Sequence, residues 1–359
     1  MQRGARAMGA NYLAPSTQAG YRTGVRMFLY FALYYYPFEV PLPTSEQRLS
    51  EFAYVSSQRV AVAAVRNYVC GVQQWHVARG IPFETKSMLQ LQHVLSGARR
   101  QMGDVVRPKR AITIDDLRAI HDRYMMPLWR AAVAEGGPDT LRLLLAGGLP
   151  GAEAVRRWAK AHTVWTGVLV GYFGMLRMGN IVANAVGPAQ NENSFLRRQD
   201  AAFDPLRPGV VWLRLRHTKT IQFRERAHFV ALWASEGALC PVAALRLHVA
   251  LVPAGPTAAL FLQRGAPHRP PVRLTRPQMV LEMKRMLAAT GVNPADFSGH
   301  SLRRGGATLA FGRGLNSHLV SMHGDWRSDA VFLYDEAAPA ARLRLPQELA
   351  RAAREAAAR

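Results

Sequence analysis

With 359 residues, 49% of them hydrophobic, the chain is long enough for two domains with buried cores. Its 46 Lys and Arg against 24 Asp and Glu give a formal charge of +22, which points to a polyanionic partner, nucleic acid first among them. Two cysteines, Cys70 and Cys240, exclude a disulfide scaffold or a cysteine-rich zinc module; they fit a reducing compartment with both thiols buried. The longest apolar run, Thr163–Leu176, is interrupted by polar residues and glycine and is too short to cross a bilayer, so no membrane partner is expected. Only five of the 46 bases are lysines. Two readings of the charge therefore compete: a nucleic-acid partner, and GC-rich coding that loads arginine onto solvated faces. The motifs favour the first.

Residues 1–15 read as a loose basic arm without the apolar stretch of a secretory signal, so the chain is not expected to be secreted. Ser16-Thr17 is a good N-cap pair for TQAGYRTGVRMFLYFALYY, whose helical spacing ends at Pro37. Helical patterns resume at Thr44 and run to Met102 with a break at Gly80-Ile81-Pro82. This makes 16–102 an all-helical domain of about four helices. Residues 103–110 form a basic linker holding Arg107, Lys109 and Arg110. Thr113 caps ITIDDLRAIHDRYMM, with Asp115 and Asp116 in the first turn, where the helix dipole favours them. Glu135–Gly151, rich in Gly and Pro, reads as a loop, and Ala152–Val182 as a long helix. Between Gly209 and Leu232 the period changes to two. Leu213 and Leu215 alternate with Arg214 and Arg216, and two such runs predict a hairpin. Helix returns from Pro241. A second domain thus covers 111–338, followed by an Ala- and Arg-rich helix or tail over 339–359 that is exposed or docks on a neighbour. The expected class is mainly α (α+β): two domains, mostly helical, with a small antiparallel sheet in the second.

The chemistry concentrates in Gly299–Tyr334. His300 and Arg303 stand three apart at a helix start, so both face one spot. A phosphate suits that spot, because arginine offers it a planar fork of donors. Tyr334 supplies a hydroxyl that can act as a covalent nucleophile. Each residue alone has a plain structural explanation. Arg177 reads as a helix-end cation, Trp326 as core and Tyr334 as a buried aromatic; a lone HxxR is common. Lys219 is less ordinary, being one of five lysines and placed on a hairpin loop. The nearby acids Asp325, Asp329, Asp335 and Glu336 are balanced by arginines, which argues against a metal-dependent transposase or nuclease. No metal or cofactor is called for.

Taken together, HSLRRGGAT at His300–Thr308, HGDWRSDAVFLY at His323–Tyr334, GYFGMLRMGNI at Gly171–Ile181 and LRHTKT at Leu215–Thr220 resemble the tyrosine recombinase, or phage integrase, family. The wording is most similar to the recombinases of DIRS- and crypton-type eukaryotic mobile elements. The helical first block looks like the family's core-binding domain, so the resemblance covers nearly the whole chain. It implies a site-specific recombinase that cleaves and rejoins DNA through a 3′-phosphotyrosine bond without metal or ATP. In it Arg177 and Arg303 clamp the phosphate, Lys219 protonates the leaving 5′ oxygen, His300 is an acid/base and Tyr334 is the nucleophile. A His or Trp nine residues before the tyrosine is expected to donate to the phosphate. Asp325 stands there, and Trp326 one residue later. Trp326 is preferred because an indole N–H donates whereas a carboxylate repels phosphate, with His323 as the fallback. The implied partners are double-stranded DNA, clamped by the two domains, and further copies of the chain, as a tetramer on two DNA segments. The implied location is the nucleus in a eukaryote, otherwise the cytoplasm or nucleoid.

Arg22, Arg26, Arg107, Lys109, Arg110, Arg214, Arg216 and Arg304 are the leading candidates for phosphate contacts, with Arg66, Arg224 and Arg327 behind them. Two other functions fit the same residues: a type IB topoisomerase-like activity, and a domesticated DNA-binding protein with an inactive site. The compact spacing from HxxR to tyrosine and the helical first block favour the recombinase over the topoisomerase.

Overall fold

The computed structural model describes residues 12–103, 109–145, 153–184, 194–221, 226–264 and 270–334, with 346, 347, 350, 351 and 354 beyond them. The basic arm up to residue 11, Arg107, Arg224 and most of the 339–359 tail lie outside the described residues. The chain divides into two compact units, Met1–Pro108 and Lys109–Arg359.

Among the described residues the first unit has four helices: α1 Pro15–Tyr35, α2 Glu46–Ser57, α3 Val62–Val77 and α4 Leu89–Met102. Helix α1 starts earlier than its Ser16-Thr17 pair suggests, because Pro15 at the first position presets the helical φ. Ser45 caps α2, its side chain accepting from the Arg48 N–H at 3.2 Å. Helices α1 and α3 touch backbone to backbone. A Cβ on Gly24 would sit 2.5 Å from Tyr68 Cα, and one on Gly71 2.6 Å from the Tyr21 oxygen. The core is aromatic and aliphatic, with Phe28 meeting Phe52 edge-on at 5.4 Å over Leu49, Val65, Val69, Val72 and Leu91. Arg22 and Arg26 share the outer face of α1 with the exposed Tyr30, Leu33 and Tyr34. Cys70 is exposed, not buried: it falls on the solvent side of α3, between the inward-facing Val69 and Val72.

The second unit opens with α5 Ile114–Ile120. Thr113 and Asp116 form a reciprocal capping box, and a π-helical turn at His121–Met125 carries the chain into α6 Met126–Gly136. The expected loop that follows contains a short helix, α7 Thr140–Leu145, held by buried Thr140 and Leu144. Helix α8, Glu153–Phe173, runs through the core. It ends before the expected Val182 because Met175 turns left-handed (φ 49°), with Met175 N–H bonding Tyr172 O and Leu176 N–H bonding Gly171 O. The short helix α9, Met178–Ile181, follows. The expected hairpin pairs β2 Val210–Leu215 with β3 His228–Trp233, placing Leu213 opposite Val230 and Arg214 opposite Phe229. A third strand, β1 Ala201–Phe203, adds to its edge and was too short to carry a period. Then come α10 Pro241–Leu251, the pair β4 Leu262–Gln263 and β5 Val272–Arg273, α11 Arg276–Ala288, α12 His300–Gly312, α13 Ser317–Gly324 and a 3-10 turn at Asp329–Tyr334.

The chain is thus mainly helical with small antiparallel sheets, as expected. No helix among the described residues is long and apolar enough to cross a membrane. Helix α12 lies against α8 without intervening side chains, since a Cβ on Gly306 would fall 2.2 Å from the Tyr172 oxygen. A small separate core of Met175, Ala307, Ala310, Val320 and Val331 joins the ends of α8, α12, α13 and the last 3-10 turn. That core positions the site.

Candidate active site

Arg303 is the hub. It is 3% exposed, and its Nη1 donates at 2.6 Å to the carbonyls of both Met175 and Gly324. Those carbonyls belong to the C-terminal ends of α8 and α13, where the helix dipoles favour a cation. Each end is closed by a non-glycine residue in the left-handed region, Met175 at φ 49° and Asp325 at φ 57°. Such conformations cost free energy and persist where the surroundings demand them. The Trp326 ring covers the guanidinium, its centroid 3.5 Å from Cζ. Gly324 makes room for that ring, since a Cβ there would lie 1.8 Å from it.

Arg177 caps α9, two residues beyond the left-handed Met175, and is partly buried. Lys219 is exposed at the tip of a tight turn, which Thr218 and Ile221 close through backbone bonds of 3.1 and 3.3 Å. His300 opens α12 with its side chain exposed. Loss of water around its imidazole, then the charges of Arg303, Arg276, Arg177 and Lys219, push its pKa below the ordinary histidine range. Four cations from four separate elements thus act on one imidazole, which is left neutral at neutral pH. The backbone of Tyr334 ends the 3-10 turn anchored by buried Val331, and its side chain lies outside the described residues.

Arg276 went unnoticed in the sequence. A signal for it exists: Gln278 accepts from the Thr275 N–H and hydroxyl, which sets the start of α11 at Arg276. A cation there opposes the helix dipole, a broken local rule of the kind found at functional sites.

Asp325 and His323, the two alternatives to Trp326, are both engaged elsewhere. His323 Nε2 donates to the Phe173 carbonyl at 2.9 Å. Asp325, 5% exposed, accepts from Thr218 Oγ1 at 2.6 Å, from Thr220 Oγ1 and from Arg226 Nη2 at 2.7 Å, with Arg177 Nη1 4.0 Å away. Burial alone would raise its pKa. The three hydrogen bonds outweigh it and hold the carboxyl below the usual carboxylate range.

The outlying bases divide. Arg22, Arg26 and Arg214 are exposed, Arg214 on the outer face of β2. Arg216 instead pairs with buried Asp200 at 2.7 Å, a structural ion pair that sequence alternation could not reveal. The two linker-end candidates are fastened within the second unit: Lys109 Nζ donates to Ala295 O and Arg110 pairs with Asp116, while Arg304 of α12 spends its Nη1 on the Lys109 carbonyl. No cluster of His, Cys, Asp and Glu that could hold a metal occurs among the described residues.

No protein-family model and no curated protein sequence matches the chain. Solved structures are similar across almost its whole length. A Tn1549 transposon integrase in complex with transposon right-end DNA superposes with TM-score 0.56 at 11% identity, covering 97% of this chain and 98% of that one. A lambda integrase dimer bound to a COC′ core site gives 0.53 at 14% identity, covering 94% of each chain. The XerH site-specific recombinase in a post-cleavage complex gives 0.53 at 14%, covering 91% of this chain and 79% of that one. At such identities the likeness speaks for architecture, and the architecture of this chain is the tyrosine recombinase fold.

Proposed function

We propose that the chain is a DNA strand-exchange enzyme that cuts and rejoins DNA through Tyr334. What supports the proposal is the tyrosine recombinase fold together with the buried Arg303, seated between two helix ends under Trp326, and the charges of Arg303, Arg276, Arg177 and Lys219, which lower the pKa of His300. The Tyr334 oxygen attacks the scissile phosphorus and the P–O5′ bond breaks, leaving a 3′-phosphotyrosine and a free 5′-hydroxyl. His300, being neutral, takes the tyrosine proton. Arg177 and Arg303 stabilise the charge that builds on the non-bridging oxygens. Lys219 donates a proton to the departing 5′ oxygen, whose alkoxide is too basic to leave alone. Rejoining is the reverse attack by a 5′-hydroxyl; the protein–DNA bond conserves the phosphodiester energy, so ATP is not required. Trp326 keeps the Arg303 guanidinium in place and offers its indole N–H to the phosphate. The exposed Arg22, Arg26 and Arg214 serve as contacts to the DNA backbone. Recombination on two DNA segments calls for a tetramer, working in the nucleus of a eukaryote or on the nucleoid of a prokaryote.

The test is a nicked suicide substrate that traps the covalent adduct. Wild-type protein is expected to form it, and Tyr334→Phe to form none while retaining DNA affinity. An adduct that persists in the mutant would assign the nucleophile to another residue. Cleavage is also expected to survive EDTA, because arginines supply the charge a metal would otherwise bring. Loss on chelation with recovery on adding magnesium would place the chemistry in another class.

A further inference from the structure

Asp325 occupies a position where a carboxylate is costly. It is almost fully buried, beside a site built to attract phosphate, and its backbone is left-handed. Its partners explain why it is there. Thr218 and Thr220 flank Lys219 on the descending side of the hairpin loop, and Arg226 lies on the returning side, just before β3. All three donate to the one carboxylate, which belongs to a segment more than ninety residues further along the chain. The same segment holds Gly324, whose carbonyl accepts from Arg303, and Trp326, which covers Arg303. One carboxylate therefore ties the Lys219 turn to the residues that seat the arginine hub.

We propose that Asp325 is the positioning residue for the leaving-group acid. By latching Thr218, Thr220 and Arg226 it holds the turn that aims Lys219 at the scissile phosphate. The inference rests on the reading of Lys219 as that acid. Lysine has a long, flexible stem, so the backbone beneath it must be fixed if the ammonium is to reach one oxygen. Beyond Asp325, the turn keeps the 218–221 backbone bonds and the contacts of the Thr218 hydroxyl with Thr220 and Ile221. Those bonds shape the turn, and Asn180 Nδ2, donating to the His217 carbonyl at 2.9 Å, fixes the residue just before it to α9; Asp325 ties the turn itself to the segment that seats Arg303.

The test compares two DNA substrates, one with the ordinary 5′ oxygen and one with a bridging 5′ sulfur, which departs without a proton. Asp325→Asn weakens the acceptor. Thr220→Val removes one donor at nearly constant volume, and it becomes the deciding variant if thermal unfolding shows Asp325→Asn to be misfolded. Both variants are expected to cut the oxygen substrate roughly 10- to 100-fold more slowly than wild type, the scale of an ångström misplacement. Both should cut the sulfur substrate at nearly the wild-type rate. Adding Thr220→Val to Lys219→Ala should cost nothing further, since the aimed group is already gone. Equal slowing on oxygen and sulfur would overturn the proposal and make Asp325 an orienter of Arg177 instead. Unimpaired cutting of the oxygen substrate by folded variants would overturn it as well. Failure of the underlying reading looks different: wild type itself would form no adduct, or Lys219→Ala would gain nothing from sulfur.

Discussion

Arg303 has a structural role beside the chemical one proposed for it. Its Nη1 closes the ends of two helices while the guanidinium stacks under Trp326, so its orientation is set before any phosphate arrives. Buried carbonyls that lose their donor cost about 1–3 kcal/mol each, so truncation of Arg303 would damage stability as well as catalysis. His300 is better suited to a test of chemistry, because its side chain is exposed. With its pKa depressed by desolvation and by Arg303, Arg276, Arg177 and Lys219, it stays neutral until the pH falls below the ordinary histidine value of about 6.5. The cleavage rate should therefore hold through neutral pH and fall only below that point, as protonation removes the base. His300→Ala should lack this acid limb. An acid limb with its midpoint above about 6.5 in wild type would mean that another group accepts the proton.

At the scale of elements, α8 is the axis of the second unit. Its end carries Met175 and then Arg177, its Tyr172 carbonyl meets Gly306 of α12, and its buried middle includes His162. That histidine stacks on Trp158 at 5.2 Å, and burial pushes its pKa down to about 4, against the pull of the Ala244 carbonyl. In the unfolded chain the same group titrates near 6.5. Between those values the unfolded state binds the proton and the folded state does not, so stability is full above about pH 6.5 and is lost as pH falls towards 4. The linked loss is on the order of 3 kcal/mol. Buried His248, pushed down to about 3 by desolvation and then by Arg198, adds a loss of the same sign. Thermal unfolding of wild type from pH 7 to 4.5 should show a steep drop in Tm that His162→Gln makes shallower. Identical slopes would show that His162 is not the group responsible.

For the whole molecule the question is what the +22 charge does. Coding bias would scatter arginine over solvated faces without purpose. A DNA-binding role would make affinity depend steeply on salt, each neutralised phosphate contributing a slope of about −0.9 in log K against log salt. A protein making ~8 phosphate contacts should lose roughly 10³–10⁵ in affinity between 50 and 200 mM salt. A slope shallower than about −3 would leave room for only three or so contacts and return most of the charge to coding bias.

Much of this was readable from local pattern. Helical spacing, Pro15, Ser45 and Thr113 place the early helices, and alternation places the β2–β3 hairpin, because caps and periods are written within a few residues of where they act. The order of Arg177, Lys219, His300, Arg303 and Tyr334 was visible for the same reason: motifs are local strings. Pairings across long sequence distances were not. Nothing near Arg216 announces Asp200, and nothing in HGDW says that Asp325 will bond a turn about a hundred residues earlier. Nor does RPQM reveal that the charge of Arg276 will act on His300. Local pattern established which groups are present and where most of the helices and the β2–β3 hairpin lie, though not α7 or β1. The tertiary structure alone decided which cations converge and which are spent on buried carboxylates, because charge–charge energies depend on distance and burial, neither of which a linear string contains.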